Sequence, residues 1–396
     1  MIQIAATGGA SATAGFVSGT QASTAYIGGN IANPSTSDIW LMTNSVAFSV
    51  SNTATNAGYT LPLLFKSSGN LVILPNTAGA VINFGSVEAN AQINLAPTDF
   101  YNVDATKQIF QTGFNSITVG HARDTGVVTF LTALVNPQDH LVVQSGSGQI
   151  SINANLTMAA GKSLTLVSNY AAATAVLSNT QITTGAVGII TTDLLNLLGL
   201  GGYGFLRTDN AIGTIASGGL YQDASYPSTY NAPLSVSGAV PNAANPLFIQ
   251  VYDNANLIVG SVTSNIVTTT GISYKTSVGV TAQAGVFIKT TGTKSITLNQ
   301  KVTSLGANIV LVAGDDVAGT ASTGGNFINN FGASALSTDA SKTWFVYSNR
   351  PSTVNTTTGL AGTDYSQLNG LVSGNYAIWN KVWAATTVTT GTALYQ

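Results

Sequence analysis

The feature that most constrains this chain is a succession of short, alternating apolar segments. They recur about every ten residues, between turns rich in glycine and asparagine. Residues 146–169 (GSGQISINANLTMAAGKSLTLVSN) show the pattern. An alternation of apolar and polar side chains with a period of two predicts strands that bury one face. We therefore predict strands at residues 149–156 and 163–168, joined by a small-residue turn that includes Gly161.

Strands this short are not stable alone, and the chain supplies many near-copies of them. Regular short strands with turn signals are typical of an all-β sandwich, barrel or solenoid. The pattern runs through most of the chain without a domain linker, and asparagine and glycine suit the left-handed corners of a coiled strand stack. The self-similarity is loose and has no fixed period. We predict an all-β, right-handed parallel β-helix (β-solenoid) with about 20–25 residues per coil and a rise of about 4.8 Å.

Two segments depart from this rhythm. Residues 193–200 (DLLNLLGL) space their leucines like one or two turns of helix, with Thr191 or Thr192 as N-cap and Gly201 as the stop. Residues 221–246 hold four of the 10 prolines and three tyrosines, which predicts an irregular loop insertion. The predicted organisation is a β-helix over residues 1–220, a Pro/Tyr-rich loop excursion over 221–246, and a β-helix continuation over 247–396 with Trp-rich C-terminal coils.

Charge is scarce throughout the sequence. Charged residues make up 7%, against about a quarter in an ordinary soluble domain. Hydrophobic residues still make up 44%, which excludes the signature of disorder. The net charge is −2 and the lysines and arginines are scattered singly, so we predict no nucleic-acid partner. Weak self-repulsion favours self-association, and we predict a homo-oligomer or a head-to-tail polymer.

The absence of cysteine excludes disulfides, thiolate metal sites and cysteine nucleophiles. The first residues lack the positive and continuously apolar regions of a signal peptide, so an export signal would have been removed or would lie outside this sequence. The most apolar run, residues 186–206, is interrupted by Asp193, Asn196 and several glycines. It therefore predicts a buried core segment, and we expect no membrane insertion.

Few residues offer acid–base chemistry. His121, Arg123 and Asp124 lie together in GHARDTG, and His140 follows Asp139. A His/Asp pair supports proton transfer, but a polar turn is the ordinary explanation at both places. Polysaccharide-degrading β-helices need carboxylates that converge on one groove. An enzyme would therefore require Asp124, Asp139 and His121 to meet there; we predict no catalytic residue.

Binding candidates are similarly few. Asp315 and Asp316 offer carboxylates for calcium, but the Gly-Gly-x-Gly-x-Asp repeat of such sites is missing. We predict a turn there, with no metal and no cofactor. Three tyrosines of the loop excursion either form a stacking surface for sugars or a protein, or pack against the strand stack; they are Tyr221, Tyr226 and Tyr230.

The C-terminal part of the chain carries more specific motifs: GGNFINNFG, KTWFVYSNRPS, a Gly-Leu pair and AIWNKVW. In this order they resemble the β-helical shaft of bacterial adhesins of the filamentous haemagglutinin type, which are secreted by two-partner or related pathways. The matching residues are Asn326, Phe327, Asn329, Trp344, Val346, Tyr347, Ser348, Pro351, Gly359, Leu360, Trp379, Asn380 and Lys381. The match covers about sixty residues and weakens toward the N-terminus.

The resemblance implies a non-enzymatic, extracellular structural or adhesive protein of a bacterial surface. Asn33-Pro34 is a single dipeptide where that family has paired Asn-Pro secretion elements, so we expect a shaft segment or a processed mature piece. The predicted structural C-terminal coils contain Trp344, Tyr347, Pro351, Trp379, Asn380 and Trp383. Two versions stay open, a self-associating fibre subunit and a monomeric stalk that binds host or glycan ligands. The third alternative is a polysaccharide-degrading enzyme.

Overall fold

A computed structural model provides the coordinates of the chain. It describes residues 2–6, 26–29, 33–43, 46–47, 64–75, 77, 79–85, 91–105, 108–121, 124–146, 148–168, 176–178, 188–199, 202–218, 249–268, 271–282, 285–314, 325–348, 367–371, 377–378 and 393–395. These residues are nearly all β, with a single four-residue helix among them.

In the first half of the chain the elements are β1 (Ile2–Ala6), β2 (Tyr26–Ile27), β3 (Ile39–Thr43), β4 (Val46–Ala47), β5 (Leu64–Phe65), β6 (Asn70–Pro75), β7 (Ile82–Phe84), β8 (Ile93–Leu95), α1 (Pro97–Phe100), β9 (Ser116–Val119), β10 (Val128–Phe130), β11 (Leu134–Val135), β12 (Leu141–Ser145), β13 (Ile150–Ile152), β14 (Leu156–Thr157), β15 (Ser163–Ser168), β16 (Val176–Ser178) and β17 (Ile190–Leu198).

In the second half they are β18 (Tyr203–Phe205), β19 (Ala211–Gly218), β20 (Ile249–Asp253), β21 (Leu257–Val259), β22 (Ser261–Thr268), β23 (Gly271–Val278), β24 (Val280–Ala282), β25 (Val286–Thr290), β26 (Ile296–Leu298), β27 (Val302–Ser304), β28 (Ile309–Val312), β29 (Phe327–Asn329), β30 (Leu336–Thr338), β31 (Trp344–Ser348), β32 (Ala377–Ile378) and β33 (Ala393–Tyr395).

The chain divides into two compact units. The described residues of unit 1 lie within Met1–Tyr170, Thr183–Thr192 and Ser264–Lys275. Those of unit 2 lie within Ala171–Ile182, Asp193–Thr263 and Thr276–Gln396.

Unit 1 is built from three rows of parallel strands. The first row runs β1-β3-β6-β9-β12-β15, and the second runs β4-β8-β7-β10-β13. In the third row β14 pairs with β11 and with the start of β17. From β9 to β14 the chain visits the rows in a fixed order, first, second and third, and then repeats it. Leu141 pairs with Leu164 and Val128 pairs with Ile150, and both spacings lie within the predicted length of a coil.

The core of unit 1 consists of inward-facing side chains stacked in register. Along the first row, one buried stack contains Ile39, Leu71, Ile117, Leu141 and Leu164. In the second row, the rings of Phe84 and Phe130 stack with centroids 4.2 Å apart. Strands about 4.7–4.9 Å apart bring like side chains into contact, so each apolar position is buried by its counterparts above and below.

Unit 2 repeats this architecture. One row runs β16-β18-β20-β25-β28-β31-β33-β32, a second contains β19-β21-β26-β29, and β19 also pairs with the row β24-β27-β30. From β24 to β29 the order of the rows is again fixed. Val280 pairs with Val302 and Val286 with Ile309, so the coil has nearly the same length as in unit 1. At the corners, side-chain amides bridge successive turns, as Asn330 does when it donates to Asn299 Oδ1 at 2.8 Å.

The helix predicted at residues 193–200 is wrong, because residues 190–198 form strand β17. Leu195, Leu197 and Leu198 are buried, and so is Asn196 between them. A strand buried on both faces carries a continuous apolar run, and periodicity does not distinguish such a run from a helix. The N-cap predicted at Thr191 or Thr192 is therefore also wrong, since both residues lie in β17 and Thr191 pairs with Thr157 of β14.

The strand predicted at residues 149–156 is also corrected. It consists of two strands, β13 and β14, which belong to the second and third rows. The chain turns between them, where the N–H of Asn153 donates to the carbonyl of Phe130. The apolar alternation continues through the corner, because Ile152 and Leu156 are both buried on its two sides. The strand at Ser163–Ser168 is confirmed. The excursion at 221–246 lies outside the described residues.

Candidate functional site

Asp124 of the GHARDTG motif closes a corner of the chain. Its Oδ2 accepts the backbone N–H of His121 at 2.7 Å, and its own carbonyl accepts the N–H of Gly146 at 2.8 Å. Burial raises the pKa of Asp124 to about 7, and the hydrogen bond from His121 opposes that rise. The carboxyl group therefore stabilises the turn that follows β9. Arg123 lies outside the described residues.

Asp139 and His140 stabilise the corners that precede the first-row strands. Asp139 Oδ1 accepts the N–H of Gly113 at 3.0 Å. His140 Nδ1 accepts the backbone N–H of Ser163 at 3.0 Å, so the hydrogen of the neutral ring is on Nε2. Burial is the main cause of both pKa shifts here: it raises the pKa of Asp139 and lowers the pKa of His140. Each side chain bonds to a different neighbouring turn.

The acid–base candidates do not meet in one groove. His121 and Asp124 follow β9, whereas Asp139 precedes β12, which lies beside β9 in parallel. The two pairs therefore lie beyond opposite ends of the first-row strands, about 15 Å apart for a strand of four to five residues. The described residues contain no group of three His, Asp or Glu side chains that could hold a metal ion. Asp315 and Asp316 are not among them.

Two further buried aspartates were missed by sequence reasoning. Asp99 and Asp253 have no exposed surface, and burial raises the pKa of each to about 8. Asp99 Oδ2 accepts the N–H of Ala96 at 2.7 Å, and Asp253 Oδ1 accepts the N–H of Ile212 at 3.0 Å. The second oxygen of each carboxyl group has no hydrogen-bond partner in the described part of the chain. The sequence signal is an aspartate beside an aromatic residue at the end of a short apolar segment, as in QVYD.

The structure describes two of the predicted C-terminal coil residues. Trp344 is half-buried on β31 and pairs with Ile309. Tyr347 is buried against Val312 and Phe345, and this burial raises its pKa. Both therefore belong to the packed part of unit 2. The remaining predicted site residues lie outside the described ranges: Pro351, Trp379, Asn380, Trp383, Tyr221, Tyr226 and Tyr230.

The first row of unit 1 ends in an edge strand. β1 pairs residue by residue with β3, from Ile2 with Ile39 to Ala6 with Thr43. Within the described ranges no strand pairs with the other side of β1, and in unit 2 the same holds for β30, which pairs with β27. An edge of this kind presents unpaired N–H and C=O groups, which form a template for another strand.

The outer face of the first row is covered, which the sequence did not predict. Trp40, Val72 and Leu74 occupy outward positions yet are 9%, 0% and 6% exposed. They pack against Val267 and Ile272. These two residues belong to Ser264–Lys275, the part of β22 and β23 that lies in unit 1; we call it the arm.

A ladder of polar side chains on the same face binds the arm. Asn265 Nδ2 donates to Asn70 Oδ1 at 3.0 Å, and Thr165 shares a hydrogen bond with the hydroxyl of Ser264. Gln144 makes two bonds to one residue of the arm. Its Oε1 accepts the N–H of Val267 at 2.8 Å, and its Nε2 donates to the carbonyl of Val267 at 3.1 Å. The face thus recognises both backbone groups of an extended segment.

Replacing Gln144 with leucine is expected to destabilise unit 1 by about 2 kcal/mol, because the backbone N–H and C=O of Val267 lose the two bonds that Gln144 supplies in a buried place. Hydrogen exchange of the arm amides should report the loss first. Thr129→Val is the control, because Thr129 occupies an outward position of β10 and has no side-chain hydrogen bond in the described part of the chain. Equal effects of the two substitutions would contradict the assigned role of Gln144.

Comparison of the chain with protein-family models, with curated proteins and with solved structures found no match. None of the helical residues that the structure describes forms a segment of the length and hydropathy needed to cross a membrane.

Proposed function

We propose that the chain is a non-enzymatic, extracellular structural protein of a bacterial surface, folded as a right-handed parallel β-helix, which self-associates end to end into a fibre. The observation that carries the proposal is the edge strand β1. It continues the first row in register with β3 and has a second side to which no described strand is bound. A copy of the chain that presents its own edge strand there would extend the row by one step of about 4.8 Å.

The order of the strands supports the β-helix. In each unit the chain passes through three rows in sequence and returns to the row where it began, as the pairs Val128 with Ile150 and Val286 with Ile309 show. A chain that repeats this path winds around its own core. Right-handed connections between parallel strands are the rule, because the twist of the strands favours them.

The low charge of the chain supports end-to-end association. Natural edge strands carry lysine, proline or inward-pointing charges, which prevent pairing with another chain. The sequence of β1, IQIAA, contains none of these. A charged residue repeated at each junction of a fibre would repel its counterpart, and β1 carries no charge that would oppose docking.

The adhesin-like motif near the C-terminus supports the role as a structural shaft. In the NFIN segment, Phe327 is buried and pairs with Ile296. Asn329 Nδ2 donates to the carbonyls of Gly332 and Leu368 at 2.9 and 2.7 Å, and Asn329 Oδ1 accepts the N–H groups of Phe331 and Gly332. The asparagine therefore fixes a corner, which is a structural use of the motif and fits a shaft.

Negative-stain electron microscopy of the purified chain over a concentration series, with light scattering in parallel, tests the proposal. We expect regular fibres above a critical concentration. Separate particles at every concentration would contradict self-association. That result would favour the alternative of a monomeric adhesin stalk that binds a cell-surface glycan or protein.

Gln3→Lys is expected to raise the critical concentration for fibres about tenfold, because it places a charge on the edge strand. Gln3 pairs with Trp40 of β3. The matched control is Thr129→Lys, which adds the same charge to β10, a strand with neighbours on both sides. The control should change the critical concentration less than about twofold. Equal shifts for both variants would show that net charge, and not the β1 edge, governs assembly.

A further inference from the structure

The arm that covers the outer face of unit 1 is not part of the parallel rows. Its strands β22 and β23 pair with each other in a separate two-stranded sheet. Its contacts with the polar ladder join residues far apart in the sequence, 195 positions for Asn265 with Asn70, 123 for Val267 with Gln144 and 99 for Ser264 with Thr165. The arm can therefore leave this face without breaking any ladder of the rows.

The covered face has the properties of a strand-binding surface. Gln144 satisfies the backbone N–H and C=O of Val267, which is recognition of an extended chain as such. Asn265 supplies specificity, because its amide lies within reach of both Asn70 Oδ1 (3.0 Å) and Ser116 Oγ (3.4 Å). The Val267 side chain adds an apolar anchor against Trp40, Val72 and Leu74.

We propose that this face is an interface between copies of the chain, in which the arm of one copy occupies the outer face of unit 1 of another. The inference rests on the self-association proposed above and names a surface for it. Every contact described between the arm and the covered face joins two separate segments, so it forms equally well when the segments come from different copies. Exchange of an identical element needs no new complementary surface.

A second copy is the occupant that the contacts favour. Both the donor and the acceptor of each ladder bond belong to this chain, and the pairing of Asn265 with Asn70 and of Ser264 with Thr165 is side chain to side chain. A foreign peptide would satisfy the Gln144 contacts but would lose these two. The arm carries one charged residue, Lys275, so two copies are not kept apart by repulsion between arms.

Disulfide trapping between copies tests the exchange. The chain has no cysteine, so Thr165→Cys and Ser264→Cys, made in separate chains with tags of different mass, form a mixed disulfide only across two copies. The single variants are mixed above the concentration at which light scattering shows association, and then oxidised mildly. We expect the mixed disulfide to exceed that of a control pair, Thr165→Cys with Ser341→Cys at an exposed position, by about tenfold.

The outcomes separate the two proposals. Mixed disulfide at the control level, in preparations that still form fibres, would overturn arm exchange and leave end-to-end association in place. Excess mixed disulfide without fibres would support exchange in a closed dimer and contradict the fibre. If cysteine at buried Thr165 unfolds the chain, a labelled peptide of residues 261–278 is mixed with the wild-type protein. Its binding, abolished by Gln144→Leu, would support exchange, and its failure to bind would overturn it.

Discussion

Alanine at Gly148 is expected to lower the free energy of unfolding of unit 1 by about 3 kcal/mol or more. A Cβ atom at this position would lie 1.8 Å from the carbonyl oxygen of Gly126 and 2.6 Å from its carbonyl carbon. Both are backbone atoms of the neighbouring turn, so no side chain can rotate away. Gly126 has the same relation to Ala80, with its oxygen 1.9 Å from a Cβ at 126. Three successive corners, at Ala80, Gly126 and Gly148, thus stack backbone on backbone, and at the second and third only glycine allows the approach.

Chemical denaturation followed by circular dichroism measures the effect, with Gly79→Ala as the matched control. A Cβ at Gly79 would have Thr125 Oγ1 at 3.8 Å as its nearest neighbour, which is ordinary contact. The control is expected to change stability by less than about 1 kcal/mol, because it removes backbone freedom from the unfolded chain without a clash. If Gly148→Ala and Gly79→Ala unfold at the same denaturant concentration, the close approach of the corners is wrong.

The strands could be predicted from the sequence because each is a local pattern. Ser163–Ser168 and Ile93–Leu95 are strands in which apolar residues alternate with polar ones or lie together, and local turns bound them. Which strands pair could not be predicted, because the spacing of paired residues varies. Val128 pairs with Ile150, whereas Asn70 pairs with Ser116, about twice as far along the chain. Inserted segments of unequal length remove the fixed period on which pairing could be based.

The polar part of the covered outer face could not be predicted from alternation. A polar residue at an outward position of a strand predicts exposure to solvent, and Asn70, Gln144 and Thr165 are polar residues at such positions. Their partners come from a segment far later in the chain, so no local signal marks them. The tyrosines singled out by composition lie outside the described residues, and the tyrosine-surface hypothesis stays a prediction.

The buried aspartates escaped prediction because their chemistry depends on burial. Asp99 and Asp253 each lie beside an aromatic residue at the end of a short segment, a place where a solvated turn is the ordinary expectation. The structure instead closes the corner over the carboxyl group and leaves one oxygen without a partner among the described residues. A buried carboxyl group in that position favours its neutral form. This makes the stability of the chain depend on pH.

Raising the pH from 5 to 8.5 is expected to destabilise both units. The pKa of Asp99 in unit 1 and of Asp253 in unit 2 is raised to about 8 in the folded chain, and the ordinary value is 3.8. Between these values the folded chain holds a proton that the unfolded chain has released. Stability is therefore complete below the unfolded pKa and is lost as pH rises through the folded pKa, by about 1.4 kcal/mol per pH unit for each aspartate. Asp124, with its pKa raised to about 7, adds to the loss in unit 1.

One group acts in the opposite direction in unit 1. Burial lowers the pKa of His140, so its contribution is present above the unfolded pKa of 6.5 and is lost as pH falls below it. It offsets about one aspartate at the acidic end of the range. The destabilisation of unit 1 should therefore be steepest between pH 6.5, above which His140 no longer offsets it, and about pH 7, where Asp124 of the folded chain begins to ionise. It should level off above about pH 9, where Asp99 and Asp124 are ionised in both states.

Urea unfolding at half-unit pH steps, on the wild-type chain and on Asp253→Asn, measures the dependence. The asparagine keeps the shape of the side chain and cannot ionise, so the slope for unit 2 should flatten by about one proton. Asp209→Asn is the control. The side chain of Arg207 hydrogen-bonds the partly exposed carboxyl group of Asp209 and lowers its pKa. Asp209 is therefore ionised throughout the range from pH 6.5 to 8.5, and its replacement should not change the slope there. A wild-type midpoint that stays constant or rises across this range would show that Asp253 is ionised in the folded chain. In that case its partnerless oxygen must have acquired a hydrogen-bond donor, since an ionised carboxylate without one would not remain buried.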